Sequence, residues 1–387
     1  MPETRHRGHS HEWRGTEHDL VGQRHPAYRS DPDVGPWRRW CFVVLAATLT
    51  ALGVVAAVNA TVDPFQQYRL TTSRAPRFYA LHHRWINPGL ARNASYQTAL
   101  IGSSIMESTR NDAIAAACGG PAVNLSMPAI SAAEMRSLLG AVFASHRPRR
   151  VLLVLDFNAF AGAPDERQDS AGPLPDYLYD RNVFDDLPYL LSGTVLRKSI
   201  SALLRRRDES FTDDPNAPWY WADRMRFGRD HVLHDLDLGN LNARFQQPLR
   251  TLEGMRASFA RNVLSILRAH PETEFELVWP PYSILVWQDF AQRSQLDVTF
   301  GFKRHVIAAT DGLPNVRVVD LQAHDEITTD LDRYMDIYHF SPDVNRWIVA
   351  RACAGDDRVD AGNVDAFERR LREQIVAWKP PTAQAAR

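Results

Sequence analysis

The sequence predicts a three-layer α/β/α domain with a central parallel sheet, preceded by one N-terminal transmembrane helix. From Thr98 onwards, short apolar runs of strand length alternate with stretches of helical length. Strands that are joined through helices lie parallel, and the helices cover both faces of the sheet. Ahead of this alternation, the run Trp40–Val62 carries no charged residue. With 387 residues, of which 44% are hydrophobic, the chain can bury one large core or two small ones.

The N-terminal region predicts a tail and a membrane anchor. Residues 1–36 are polar and lack apolar periodicity, so we expect a disordered tail on the cytoplasmic side. The run Trp40–Val62 exceeds the roughly 20 apolar residues that cross a bilayer as a helix, and we assign 37–62 to the anchor. The preceding Arg38–Arg39 pair favours a cytoplasmic N-terminus. Val58–Ala60 also fits a signal-peptidase site, but the long leading tail favours a retained anchor.

The α/β domain is predicted over residues 95–379, after a connector at 63–94 and before a tail at 380–387. Its central strand is near-continuously apolar, as a buried parallel strand should be. The expected strands are Thr98–Ile101, Ala122–Leu125, Val151–Leu155, Phe275–Trp279 and Val316–Asp320. The expected helices are Asp112–Cys118, Ser131–Ser145, Leu252–Ala269, Gln288–Thr310, Asp343–Cys353 and Asp365–Trp378.

Residues 160–250 interrupt this alternation with glycine, proline, charged patches and the aromatic cluster Pro218–Trp221. We interpret them as an insertion, partly helical over Val195–Arg205, that either covers a site or contacts membrane or polymer. Its tryptophans either pack in the core or stack on sugar rings, and core packing is the preferred interpretation.

The turn after the first strand is the first candidate for chemistry. Gly102, Ser103 and Ser104 follow the strand directly and precede a helix. Backbone N–H groups at a helix start have no intrahelical partner and can stabilise an oxyanion, while the turn exposes a serine hydroxyl. The same three residues also make an ordinary strand–helix connection, so a partner base is needed to favour catalysis.

A candidate base lies near the C-terminus. Asp336 and His339 are three residues apart, so one local turn can place the carboxylate against the imidazole and fix its tautomer. Ser341 and Pro342 supply an N-cap and a first-turn proline, so a helix should begin directly after the histidine. The alternative is a helix-entry aspartate beside a surface histidine.

Polar residues follow the other predicted strands as well. Asp156–Asn158 and Pro280–Ser283, which includes Tyr282, each come directly after a strand, and Asn124–Ser126 stands at the end of another. Sites in parallel sheets gather outside the carboxyl ends of the strands. We therefore expect these side chains to meet Ser104 and His339 along one rim of the sheet.

Together, Gly102–Ser104 and Asp336-x-x-His339 resemble the motifs of the SGNH/GDSL hydrolase superfamily over roughly residues 95–355. The chain is similar to its membrane-anchored bacterial members in cell-envelope acylation, such as D-alanyl-transfer and exopolysaccharide acetylation proteins. The resemblance implies an SGNH/flavodoxin-like fold. It also implies Ser104 as nucleophile, His339 as general base and Asp336 as its partner, with Ser103 the less certain alternative nucleophile.

The resemblance further implies an oxyanion hole built from the Ser104 N–H, a glycine after strand two and the side chain of Asn158. This chain has no glycine after strand two, so the Ser126 N–H or the Asn124 side chain would substitute. Asp156 also stands where the family has a glycine. Asn124 is equally well explained as a turn residue, and Asn158 as a helix cap.

The two cysteines beyond the anchor, Cys118 and Cys353, each lie near the end of a helix that follows a site motif. They either pair in an oxidising periplasm or remain two buried thiols.

The functional expectation is an extracytoplasmic, singly anchored serine esterase or O-acyltransferase of the bacterial inner membrane. The resemblance implies acyl esters of envelope polysaccharide as substrate and a multi-spanning O-acyltransferase as partner. No metal or other cofactor is expected, and a formal net charge of −1 gives no sign of nucleic-acid binding. The alternatives are a non-catalytic module that binds polysaccharide or an envelope assembly partner, and a lipid esterase.

Overall fold

The computed structural model describes residues 35–72, 76–79, 81–168, 172–204, 212–234 and 236–379. The predicted cytoplasmic tail up to residue 34 and the C-terminal tail at 380–387 lie outside the described residues. The chain divides into two compact units between Leu52 and Gly53.

The first helix, α1 (Gly35–Val62), contains the apolar run. All of its side chains from Pro36 to Leu52 are exposed. The 27 residues from Pro36 to Val62 are long and apolar enough to cross a membrane, as either a span or a signal sequence would be. The last turns of α1 belong to the second unit, where Asn59 and Val62 are buried.

Residues 63–94, which we expected to be a connector, contribute to the core of the second unit. Phe65 is fully buried, and α2 (His83–Asn93) packs against a later helix, α4 (Ala132–Ser145). Gly89 lets α2 approach the backbone of Gln66 closely, because a Cβ atom at position 89 would lie 2.3 Å from the carbonyl oxygen of Gln66. A short segment rich in polar residues is therefore built into the domain.

The sheet contains five parallel strands in the order β2-β1-β3-β4-β5, which confirms the predicted α/β class. The strands are β1 (Thr98–Ile101), β2 (Ala122–Asn124), β3 (Arg150–Val154), β4 (Glu274–Trp279) and β5 (Val316–Asp320). In the register of the sheet, Ala99 of β1 lies between Val123 and Val151. The strand order reverses at β1, so a crevice is expected outside the carboxyl ends of β1 and β3.

The helix α3 (Asn111–Cys118) follows β1, and α4 begins with the predicted capping box of Ser131 and Glu134. Short helices and one longer helix occupy the insertion. They are α5 (Leu187–Leu190), α6 (Gly193–Leu203), α7 (Arg229–Leu233) and α8 (Asn242–Phe245). The remaining helices are α9 (Leu252–Phe259), α10 (Ser265–Ala269), α11 (Ile284–Gln292), α12 (Leu296–Thr310), α13 (Asp325–Thr328), α14 (Pro342–Ala354) and α15 (Val364–Ala377).

Two predicted helices are interrupted. The helix expected at Leu252–Ala269 contains a π-helical turn, Ala260–Leu264, between α9 and α10. The helix expected at Gln288–Thr310 is two helices, because Ser294 has a left-handed φ of 56°. The N–H groups of Ser294 and Gln295 bond back to the last turn of α11, in a Schellman arrangement that ends the helix.

Candidate active site

The turn after β1 points its two serines in different directions. The Ser103 hydroxyl is buried and donates to Asp156 Oδ2 at 2.9 Å. Ser104 begins a 3₁₀ helix, Ser104–Met106, so its N–H lies in a first turn where backbone donors have no intrahelical partner. Ser104 Oγ lies 2.8 Å from His339 Nε2, whereas the Ser103 hydroxyl is bonded to Asp156.

The residues Ser104, His339 and Asp336 form a continuous hydrogen-bonded chain. On the far side of the imidazole, His339 Nδ1 lies 2.8 Å from Asp336 Oδ2. The second carboxylate oxygen of Asp336 accepts the backbone N–H groups of Tyr338 and His339, each at 2.8 Å. The carboxylate is therefore fixed by its own loop, and it in turn fixes the plane of the imidazole ring.

The electrostatics of this pair favour a charged carboxylate. Burial alone would raise the pKa of Asp336, but the hydrogen bond and charge of His339 outweigh it and lower that pKa below its ordinary value. Burial alone would lower the pKa of His339, but the hydrogen bond and charge of Asp336, with the charge of Asp156, raise it. The imidazole is therefore more basic than burial alone would make it.

The loop that carries the histidine is held by the residues after β4. Ser283 Oγ donates to the carbonyl oxygen of Ile337 at 2.6 Å, and Tyr334 Oη donates to that of Pro281 at 2.7 Å. The predicted Pro280–Ser283 exit thus positions the loop, while its Tyr282 hydroxyl donates to Asp156 Oδ1 at 2.8 Å. Tyr282 is buried and does not line the cavity described below.

The two motifs are also joined through their helices. Asn345 on α14 donates to the carbonyl oxygen of Ile105 at 2.8 Å, and α3 packs against α14. Cys118 at the end of α3 and Cys353 near the end of α14 form a disulfide, with Cα atoms 5.1 Å apart. Ser104 and His339 are 235 residues apart in the chain, and so are the two cysteines.

The exit of β3 faces the same space as the serine. Asp156 accepts the backbone N–H of Asn158 at 3.0 Å in addition to its bonds from Ser103 and Tyr282. Asn158 Oδ1 accepts from Arg250 Nη2 at 2.5 Å, which leaves the amide nitrogen as the donor end of this side chain. Asn158 lines the cavity, so its amide remains a candidate donor to an oxyanion.

The exit of β2 corrects two predictions about the oxyanion hole. The Asn124 side-chain nitrogen donates to the carbonyl oxygens of Met106, Glu107 and Thr109, at 2.9, 3.3 and 2.8 Å. The Ser126 N–H donates to Asn124 Oδ1 at 2.9 Å. Both residues are fully buried. Because the Asn124 amide and the Ser126 N–H are already engaged within the chain, neither of these two predicted donors is free to contact an oxyanion.

A cavity of about 410 Å³ opens at Ser104 and His339, a volume within the usual range for small-molecule sites. Asp156, Asn158 and Tyr338 line it from the sheet side. The insertion supplies much of the remaining wall, through residues 161–163, 166–168, Phe245, Gln247 and Pro248. Over the described ranges, no group of three or more His, Cys, Asp or Glu side chains is arranged to hold a metal ion.

The sequence reasoning missed the contribution of Trp221. Its indole N–H donates to the carbonyl oxygen of Ser104 at 3.3 Å, and its ring meets the edge of His339 with centroids 5.6 Å apart. Trp219 instead packs in the core against His83, with ring centroids 4.0 Å apart. The aromatic cluster Pro218–Trp221 indicated that tryptophans are concentrated in the insertion. It did not indicate which of the two tryptophans would contact the site.

Arg250, the residue that holds Asn158, was also missed. It is only 2% exposed, and its guanidinium lies over the ring of Phe290 with a centroid distance of 4.6 Å. An arginine at the end of an irregular insertion gives no sequence signal of burial, since this residue type is mostly exposed.

No protein-family model matches this chain, and no curated protein matches it. Its function therefore has to be inferred from the site itself.

Proposed function

We propose that this chain is a membrane-anchored serine esterase or O-acyltransferase of the SGNH/GDSL type, with the three-layer α/β/α architecture of that superfamily. The observation that carries the proposal is the hydrogen-bonded chain from Ser104 through His339 to Asp336, with 2.8 Å at each step. It opens on a cavity large enough for an acyl ester. A buried structural network would not need to present its serine to that cavity.

In the proposed first step, Ser104 Oγ attacks the carbonyl carbon of an ester while His339 Nε2 takes the hydroxyl proton. The imidazolium that forms is stabilised by the ionised Asp336, whose pKa is lowered mainly by the hydrogen bond and charge of His339 against the opposing effect of burial. The tetrahedral intermediate then collapses, the ester C–O bond breaks, and His339 returns the proton to the departing alcohol.

The negative charge on the intermediate would be stabilised from two sides. One donor is the backbone N–H of Ser104 at the start of its 3₁₀ helix, and the other is the side-chain amide of Asn158. The Arg250 guanidinium supports the second donor, because its bond to Asn158 Oδ1 orients the amide.

In the second step, an oxygen nucleophile attacks the acyl-serine and loses its proton to His339. The bond between the acyl carbon and Ser104 Oγ then breaks, and His339 returns the proton to Oγ. Water as the nucleophile gives hydrolysis, and a glycan hydroxyl gives transfer. We propose acyl esters of envelope polysaccharide as the substrate class, from the resemblance of the motifs. The cavity wall combines apolar residues with the polar side chains of Glu166, Arg167 and Gln247, and these polar groups support a ligand that carries hydroxyl groups.

The same proposal places the domain outside the cytoplasm, on a single inner-membrane span. The Cys118–Cys353 disulfide supports an oxidising compartment, where such bonds persist. A multi-spanning O-acyltransferase in the same membrane is the proposed donor of the acyl group.

The proposal is tested by labelling the full chain, purified in detergent, with a fluorophosphonate probe. We expect wild type and Ser103→Ala to be labelled and Ser104→Ala to be unlabelled, because only Ser104 contacts His339. Circular dichroism on each variant establishes that it is folded. Absence of labelling in a folded wild type would overturn the serine-nucleophile proposal.

One observation favours a second candidate, a non-catalytic module that binds polysaccharide. The donors after β2 are engaged internally, so one usual element of the family's oxyanion hole is absent. Binding of acetylated polysaccharide by an unlabelled wild type would support this candidate. The anchor favours a third, a lipid esterase, which a preference for long chains in a series of p-nitrophenyl esters would identify.

A further inference from the structure

The helix α6 buries three polar residues beside the apolar Val195 and Ala202, and it leaves two large apolar residues exposed. Lys198, Ser199 and Ser201 face inward, with exposures of 9%, 0% and 3%, whereas Ile200 and Leu203 are 45% and 58% exposed. A surface helix of a soluble domain normally buries its apolar face and exposes its polar one. The outer face of α6 therefore has the composition of a surface that contacts something apolar.

Specific contacts fix this orientation. Ser199 Oγ donates to Asn59 Oδ1 at 3.2 Å, and Arg77 Nη1 donates to the carbonyl oxygen of Ser201 at 3.3 Å. The Lys198 ammonium lies 4.4 Å from the centroid of the Tyr79 ring. Because its polar face is held by the domain, α6 cannot rotate to bury its leucines without breaking these contacts.

A second apolar group is exposed on the segment just before α6. Phe184 is 91% exposed, and Val183 and Leu187 are 59% and 56% exposed. Leu204, directly after α6, is 60% exposed. We call these side chains the apolar flanks: Val183, Phe184 and Leu187 on one segment, and Ile200, Leu203 and Leu204 on the other.

Both segments hold the end of the apolar helix. The Asn59 side-chain nitrogen donates to the carbonyl oxygens of Leu190 and Ser192, at 2.8 and 3.3 Å, between the two flanks. A bilayer core takes about 20 residues, or about 30 Å of helix, and a span that begins at Trp40 ends close to Asn59. The apolar flanks thus lie on segments that are hydrogen-bonded to Asn59, where the hydrophobic stretch of α1 ends.

One basic residue of α6 lies beside the apolar flanks. Arg197 is exposed there, whereas Asp185 and Asp186 stand between Phe184 and Leu187 on the other segment. On α6, apolar side chains next to an arginine have the composition of segments that bind the interface of a membrane containing anionic lipid.

We infer that the apolar flanks insert into the interfacial region of the bilayer that anchors α1, and that their occupant is phospholipid. This inference rests on the anchor in the proposed function but not on the proposed chemistry. It makes the insertion a membrane-contacting element as well as a wall of the cavity.

The test uses the full chain with Cys41→Ser, which removes the free cysteine and leaves the disulfide. Single cysteines are introduced by Phe184→Cys or Leu203→Cys and labelled with the fluorophore NBD. Val376→Cys is the matched control, because Val376 is apolar and 74% exposed but lies on α15. Each protein is reconstituted alone in nanodiscs of phosphatidylcholine and phosphatidylglycerol, with and without doxyl-labelled lipid.

We expect doxyl lipid to quench the labels at 184 and 203 about twofold or more relative to the label at 376. Equal quenching at all three positions, in protein that co-purifies with the nanodisc, would overturn the inference and leave a protein partner for this surface. Failure to co-purify would instead refute the anchor. Fluorophosphonate labelling of the same samples reports on Ser104 independently, so loss of the proposed chemistry is distinguished from loss of lipid contact.

Discussion

The exits of β2 and β3 flank β1 on its two sides, and each provides an asparagine to the same rim of the sheet. Asn124 directs its amide nitrogen to three backbone carbonyl oxygens of the turn that follows Ser104. Asn158 has its carbonyl oxygen fixed by Arg250 and its side chain at the cavity wall. Two asparagines near the carboxyl ends of the strands on either side of β1 therefore have different roles.

The difference follows from what each asparagine must satisfy. The turn between Ser104 and α3 is buried and irregular, so its carbonyl oxygens need a donor from elsewhere in the chain. Asn124 supplies that donor, at the edge strand of the sheet. β3 lies inside the sheet beside the switch in strand order. In the loop after it, Asp156 accepts the backbone N–H of Asn158, and Arg250 donates to the Asn158 side-chain oxygen. A polar residue at a strand exit is thus available to a substrate only when its donors are not needed by the chain.

The largest expected effect comes from Asn158→Ala. Loss of one oxyanion donor should lower kcat by about 100- to 1000-fold, accompanied by a lower thermal stability because the buried Arg250 loses its acceptor on Asn158. Turnover of p-nitrophenyl acetate and a thermal melt measure the two quantities. A variant that loses stability but keeps its kcat would show that Asn158 is structural, and the contrast between the two exits would disappear.

The matched substitution Asn124→Ala should act on stability instead. Removing its amide leaves buried carbonyl oxygens without a donor, and we expect a loss of about 2–3 kcal/mol in the free energy of unfolding. Denaturant unfolding measures it, and fluorophosphonate labelling below the transition should retain Ser104 reactivity. A fall in kcat as large as that of Asn158→Ala, in a protein of unchanged stability, would contradict the correction made at β2.

The smallest effect is expected at Asp156. The pKa of His339 is raised, against the effect of burial, by the hydrogen bond and charge of Asp336 and then by the charge of Asp156. The imidazole must be neutral to accept a proton, so labelling should fall as pH drops through this raised pKa. Asp156→Asn removes one raising charge, and the acid limb of the labelling rate should move to lower pH.

The control for that experiment is Ser103→Ala. It removes a hydrogen bond to Asp156 but leaves the carboxylate charge, so its acid limb should coincide with that of wild type. If the acid limb of Asp156→Asn also coincides with that of wild type, the charge of Asp156 does not affect the pKa of His339. The loop after β3 would then contribute to the site only through Asn158.

The sequence predicted those parts of the site whose position is set locally. Ser104 follows a strand and Asp336 and His339 precede a helix, and such boundaries are marked by apolar runs, small residues and a proline. The five strands were predicted for the same reason. The assignments of Asn124 and Ser126 failed because their partners lie in a turn whose course only the tertiary structure defines.

Other features had no local signal. Trp221 and Arg250 reach the site from an insertion without periodicity, so their contacts with Ser104 and Asn158 depend on how that insertion folds back. The polar composition of residues 63–94 predicted a connector, although Asp63 and Asn87 in this segment are buried and hydrogen-bonded within the domain. The break at Ser294 depends on one left-handed residue that is not a glycine.

The disulfide between α3 and α14 has a consequence for a cleaved chain. A protease cut anywhere between Cys118 and Asp336 would leave Ser104 on one polypeptide and Asp336 and His339 on another, joined by the disulfide. The bond would hold both pieces together with the ends of their helices still in contact. Such a nicked protein would migrate as one species on a non-reducing gel and as two fragments after reduction, and the two-chain form would keep Ser104 beside His339.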